Sequence, residues 1–151
     1  VIGAEARRVA GAAAAAAIAG YTVANDVSMR DFQRRTNQFL AGKMWERATP
    51  VGPWLVVPDE PIGPVAAYPI RATVDGEVMQ DSNTDQLLFG AVALVEYISQ
   101  IITLVPGDLI LTGTPGGVGA GRTPPRFVQP GETVTITIDG IGELRNRFVA
   151  R

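Results

Sequence analysis

The chain has 151 residues and a formal net charge of −2, with neither Cys nor His. That length suits a single domain able to hide roughly 68–70% of its unfolded surface, and nothing in the near-neutral charge points to nucleic acid or an anionic membrane. The missing Cys and His exclude thiol nucleophiles, disulfides, Ser-His-Asp triads and imidazole metal sites, and fit a cytoplasmic setting.

In chain order, Val1-Ile2-Gly3 reads as the tail of an apolar strand, with the expectation that the sequence is a piece of a longer one. Residues 12–17 are all Ala, the best helix former, and predict a short surface helix ending at Gly20. Residues 21–26 predict a buried strand. Ser28 then starts a helix, with Asp31 in the place of the acid of a capping box. On that helix Arg30, Gln33 and Asn37 share one face, and Phe32 and Phe39 point from another toward the core. Residues 48–53 read as a rigid turn before a strand over 54–58. Residues 70–80 alternate and turn at Asp75-Gly76, the strongest short hairpin signal. Residues 89–102 predict a mostly buried helix. Residues 106–121 read as a turn, a buried strand and a glycine-rich loop. A second hairpin follows, turning near Asp139-Gly140. No repeat is present, and the sum is a β-rich α+β domain covering 1–151.

Catalysis within this composition falls to carboxylates, Lys, Arg, Tyr, hydroxyls or a metal held by oxygen, and oxygen ligands select hard ions. The glycine-rich loop 113–121 lacks the Gly-Lys-Ser/Thr ending of a phosphate loop and the G-x-G-x-x-G spacing of a dinucleotide site. Its plain reading is a turn with glycines at positive φ. A sharper one has Gly113 and Thr114 bring a backbone N–H and a hydroxyl to a small anionic ligand. Lys43 sits between Gly42 and Met44-Trp45, where a solvated lysine is the plain reading and an anion partner the sharper one. Asp26 reads either as a cap on the following helix or as a ligand for a hard ion.

The order of the motifs narrows these alternatives. "NDVSMRDFQ" (25–33), "GK" (42–43), "VDGEVMQ" (74–80), "PGDLILTGTPGGVG" (106–119) and "PGETVTITIDGIGELRNRF" (130–148) together resemble the fumarylacetoacetate hydrolase family. The resemblance implies a mixed β-sandwich roll, a homodimer, and a divalent metal that binds the 2-oxo end of a diketo acid. Mg2+ is the implied ion, with Mn2+ or Ca2+ as substitutes. It assigns Asp26 to the metal and Arg30 and Gln33 to the substrate carboxylate or a water. It assigns Lys43 to the metal-bound oxyanion and Thr114, beside Gly113, to the substrate's carboxylate end. Lys43, Gln33 and Arg30 form the implied catalytic set.

Two departures accompany the resemblance. The family's other metal ligands form a Glu-x-Glu pair on the strand that should end in Val1-Ile2-Gly3, and its hydrolytic members use a His-Glu pair. Neither pair occurs in this sequence. The implied reaction is C–C hydrolysis of acylpyruvate or fumarylacetoacetate type, with isomerisation or decarboxylation as alternatives. An inactive remnant that keeps only the fold and a dimer surface is the alternative of another class.

Overall fold

A computed structural model describes residues 1–57 and 67–150. Asp75 and Gly76 take φ of 47° and 88°, the doubly positive pair that a two-residue hairpin loop demands. They join β3 (Pro69–Val74) to β4 (Glu77–Asn83). Gly140, at φ 75°, stands in the turn between β5 (Thr133–Ile138) and β6 (Gly142–Arg147). The two hairpins associate through β3 and β5, giving an antiparallel sheet of order β4-β3-β5-β6.

Period-two alternation puts Ala72, Val74, Val134, Ile136 and Leu144 on one face of this sheet. A separate ribbon, β1 (Tyr21–Ala24) against β2 (Val51–Val56), lies over that face. Its Val23 is buried among those residues together with Ile141. The Trp54 indole N–H donates to the Ile141 carbonyl at 2.5 Å and ties the ribbon to the sheet. Gly142, at φ 149°, lets the indole approach, since a Cβ there would lie 3.1 Å from its nitrogen.

A second core holds the helices. The alanine run forms the predicted helix as α1 (Ala12–Ala16), but it stops short of Gly20 and buries Ala14 rather than lying on the surface. Ala14 and Ala17 pack with Ile2, Ala6, Leu104 and Val95, the last from α3 (Ala91–Ile101). Small side chains allow this close packing, and Ser99, fully buried, accepts from Val9 N–H and donates to the Glu96 carbonyl. Among the described residues, no helix is long and apolar enough to cross a membrane.

Several expectations need correction. The first strand ends at Ala24 rather than at Asp26. β2 begins at Val51 inside the expected turn, and it tolerates Pro53 because the ribbon offers only β1 as a partner. The end of that predicted strand, Pro58, lies outside the described residues. The helix over 91–101 is only partly buried, with Tyr97 69% and Ile101 62% exposed, because it packs through one stripe. The strand expected within 106–121 does not form. The chain there pairs briefly with the N-terminal segment, Ile2 N–H donating to the Asp108 carbonyl and Gly107 N–H to that of Ile2, and then runs on with Leu109 and Leu111 exposed.

A charged clasp closes the entry to β5. Glu132 accepts from Arg126 and from the Gln129 backbone N–H. The Arg126 hydrogen bond, then that of Gln129, holds the Glu132 carboxyl below the usual glutamate value. A depressed folded-state value contributes stability at neutral pH, above the unfolded value of about 4.3. That contribution is lost as pH falls through the folded value. Glu132→Gln is therefore expected to lower the neutral-pH melting temperature while reducing its decline in acid. Thermal unfolding of both proteins from neutral to acid pH checks this.

Candidate active site

Just past β1, Asn25 N–H donates to the Pro50 carbonyl at 2.9 Å and pins the exit of the ribbon. Asp26 follows, half-exposed, and its Oδ2 accepts from the Lys43 ammonium at 2.6 Å. Lys43 itself comes directly after a 3-10 turn, Phe39–Gly42. An ion pair this open to solvent contributes at most about 1 kcal/mol to folding. It leaves an ammonium and a carboxylate side by side where a ligand can reach both.

The helix predicted from Ser28 is a single turn, α2 (Arg30–Gln33), whose N-cap is Met29 and carries no side-chain cap. The expected capping box is thus absent. Its role passes to the backbone, where Met29 N–H donates to the Gly42 carbonyl at 2.9 Å. Asn37 falls beyond the helix and does not share the face of Arg30 and Gln33.

Gly42 explains why a glycine precedes the lysine. A Cβ there would lie 2.4 Å from the Gln33 Cβ and 2.7 Å from its Cα. Only a glycine lets the 3-10 turn press against α2, and that contact sets where Lys43 emerges. Gln33 is buried, 5% exposed, beneath this contact. Its Oε1 accepts from Arg30 Nη1 at 2.7 Å, so Gln33 fixes the guanidinium rather than standing free in a pocket.

Phe32 and Phe39 do not enter the main cores. Phe32 packs edge-on against Trp45, with centroids 4.6 Å apart, and carries Arg35 over its ring at 3.6 Å. Phe39 is 59% exposed. A single helical turn offers too little surface for both rings to reach a common core.

Gly113 takes φ 113°, as the glycine-rich loop requires. Thr114 is exposed, and its Oγ1 accepts from the Gln80 side-chain amide at 2.9 Å. No described contact joins Gly113 or Thr114 to Asp26, Arg30, Gln33 or Lys43. The described contacts link Lys43 to Asp26 and Arg30 to Gln33, and tie Thr114 to Gln80 on β4. Gln80 was not singled out by sequence reasoning, since "VDGEVMQ" carries a strong hairpin signal that accounts for its residues without a site.

The donor set does not by itself fit a metal. A hard divalent ion takes about six oxygen ligands. Among the described residues, no group of three or more acidic, His or Cys side chains could hold one, and Asp26 already engages Lys43.

The C-terminal model of fumarylacetoacetate hydrolase matches residues 1–149. The chain belongs to the fumarylacetoacetate hydrolase family. It is 44% identical to a mitochondrial oxaloacetate tautomerase of Bos taurus over 99% of its own length and 48% of that protein. A 5-carboxymethyl-2-hydroxymuconate delta-isomerase from Mycobacterium smegmatis is 44% identical, with a TM-score of 0.88 over 100% of this chain and 56% of the other. The fumarylpyruvate hydrolase of Pseudomonas aeruginosa, solved with Mn2+ and pyruvate, is 36% identical, with a TM-score of 0.87 over 99% of this chain and 62% of the other. The fold is thus the sheet-rich α+β fold of this family, here with its described strands paired antiparallel. The chain spans about half the length of the curated relatives it matches.

The Gly42 contact is directly testable. Gly42→Ala places a methyl against the Gln33 backbone and is expected to destabilise the fold by roughly 1–3 kcal/mol, the scale of overpacking. Denaturant unfolding measures this, and a stability equal to that of the native protein would show that the two segments part without cost.

Proposed function

We propose that this chain carries part of the active site of an enzyme acting on 2-oxo or diketo acids. The observation that carries the reading is the Asp26–Lys43 pair set by Gly42 against a Gln33 that holds Arg30. A 2-oxo acid presents a carboxylate and an adjacent ketone. The planar Arg30 fork suits the carboxylate, with two charge-assisted hydrogen bonds available to it. Buried Gln33 limits the conformations of that fork, so less entropy is lost when the acid binds. Lys43 supplies positive charge for the oxyanion that develops on the ketone oxygen when a neighbouring proton shifts or a C–C bond breaks. Asp26 keeps the ammonium near that position before the substrate arrives.

The reaction we favour is keto–enol or double-bond isomerisation, which the 44% identical tautomerase and isomerase support. It needs no attacking water, and the developing enolate is the charge that Lys43 meets. The second reading is C–C hydrolysis, the reaction first expected from the motifs, and the fumarylpyruvate hydrolase supports it. That relative's Mn2+ also supports a divalent ion, magnesium or manganese, as a partner of the whole protein. Toward such an ion the site described here offers Asp26. Assembly as a homodimer belongs to the same proposal.

Two experiments test this. Lys43→Met keeps the stem and removes the charge, and it is expected to slow enolisation of oxaloacetate by about 10²–10³-fold with little change in melting temperature. Enol absorbance reports the rate, and undiminished turnover would remove Lys43 from the chemistry. Arg30→Lys is expected to weaken oxalate binding by roughly 1.5–3 kcal/mol, with Arg34→Gln as a control of much smaller effect. Equal and small losses would make this helix turn a solvated surface and favour an inactive remnant.

For the metal, calorimetry on the 151-residue chain is expected to show weak or undetectable Mg2+ binding. Tight binding that survives Asp26→Ala would place the ion elsewhere.

A further inference from the structure

The glycine-rich loop is seated on an irregularity in the sheet. In the β3–β4 pair Ala72 opposes Gln80 and Thr73 opposes Val78, so Met79 is an extra residue without a partner of its own. Such a bulge frees a backbone group from the ladder and turns the neighbouring side chain. The Met79 carbonyl accepts from Arg122 Nη2 at 2.6 Å, and Arg122 Nε donates to the Gly117 carbonyl at 3.1 Å. Gly117, at φ 99°, comes so close that a Cβ there would lie 2.2 Å from the Met79 oxygen. A rigid sheet thereby holds the loop, and Gln80 is left facing Thr114.

The direction of the Gln80 contacts is decided by chemistry. The Pro115 carbonyl lies 2.7 Å from one terminal atom of the Gln80 amide. A carbonyl only accepts, so that atom is the amide nitrogen. The same nitrogen lies 2.9 Å from Thr114 Oγ1. Thr114 must therefore accept from Gln80 and cannot direct its own proton toward it. Its hydroxyl proton remains for another acceptor, on the exposed side of the loop.

We infer that Gln80 is a positioning residue that sets the hydrogen-bond polarity of Thr114, so that the threonine hydroxyl is presented as a donor to an anionic oxygen of the bound acid. This rests on the proposed function together with the place at the substrate's carboxylate end that the family resemblance implies for Thr114. An anionic oxygen only accepts, so a hydroxyl that spent its single proton on residue 80 would have none left for it. A Thr114 that accepts from Gln80 keeps that proton for the bound acid.

The test uses oxalate as the probe, with calorimetric affinity and steady-state turnover measured on the whole protein. Thr114→Val removes the donor and is expected to weaken oxalate about tenfold or more. Gln80→Glu replaces the donor with a carboxylate that draws the Thr114 proton toward itself. It is expected to weaken oxalate and raise KM by a similar factor, while kcat changes only a few-fold. Gln80→Met, which neither donates nor draws the proton, is expected to fall between native protein and Gln80→Glu. The double variant Gln80→Glu with Thr114→Val is expected to lose no more than Thr114→Val alone, because both act through one hydroxyl. Additive losses, or a Gln80→Glu protein that binds oxalate normally while Thr114→Val does not, would overturn the inference and leave the functional reading standing. A native protein that binds neither oxalate nor pyruvate would overturn that reading and this inference with it.

Discussion

The approach of Gly42 to the backbone of Gln33 is the constraint on which the candidate site depends. It brings a 3-10 turn and a single turn of helix within the space of one missing methyl group. The Met29 N–H to Gly42 carbonyl bond closes the same contact from the other side. Neither element is long enough to be stable alone, since an isolated helix turn is far below the length at which helices persist in water. Held together, they place Lys43 against Asp26 and bury Gln33 where it can grip Arg30. The charged groups contribute little to stability, so backbone geometry must hold them in place.

The sheet does comparable work for the glycine-rich loop. Its register is set by two tight turns and by burial of one face under the ribbon, where a slip of one residue would turn Val74 and Ile136 outward. The one departure from that register lies at Met79, beneath the glycine-rich loop. Regular pairing supplies stiffness, and the bulge supplies the free carbonyl and the redirected side chain that the loop needs. Arg122 completes the seat from the loop's far end.

Under the proposed function, this division suits chemistry on small acids. Enolisation needs fixed positive charge at two oxygens and gains most when the charges do not have to reorganise during the step. Arg30 and Lys43 sit on segments braced by packing, and Thr114 on a loop braced by hydrogen bonds. The relatives include a tautomerase, an isomerase and a hydrolase, so one scaffold serves several reactions.

Local signals in the sequence determined both hairpins, a helix in the alanine run, a helix within 89–102, and the family. Asp75-Gly76 could turn in few other ways, and period-two alternation left one face for the core. The capping box at Ser28, the Arg30–Asn37 face, the core roles of Phe32 and Phe39 and the strand after Gly107 were equally local readings, and tertiary contacts overrode each. Helix α2 starts from a bond between Met29 and Gly42 rather than from a Ser28 cap, and no run of residues encodes that partner. Gln80 was invisible for the same reason. Its importance lies in facing Thr114 across a bulge, and the two come together only when β4 and the loop are folded against each other. Propensity and periodicity act over a few neighbouring residues, whereas close backbone approaches and hydrogen-bond polarity are set between segments distant in the chain.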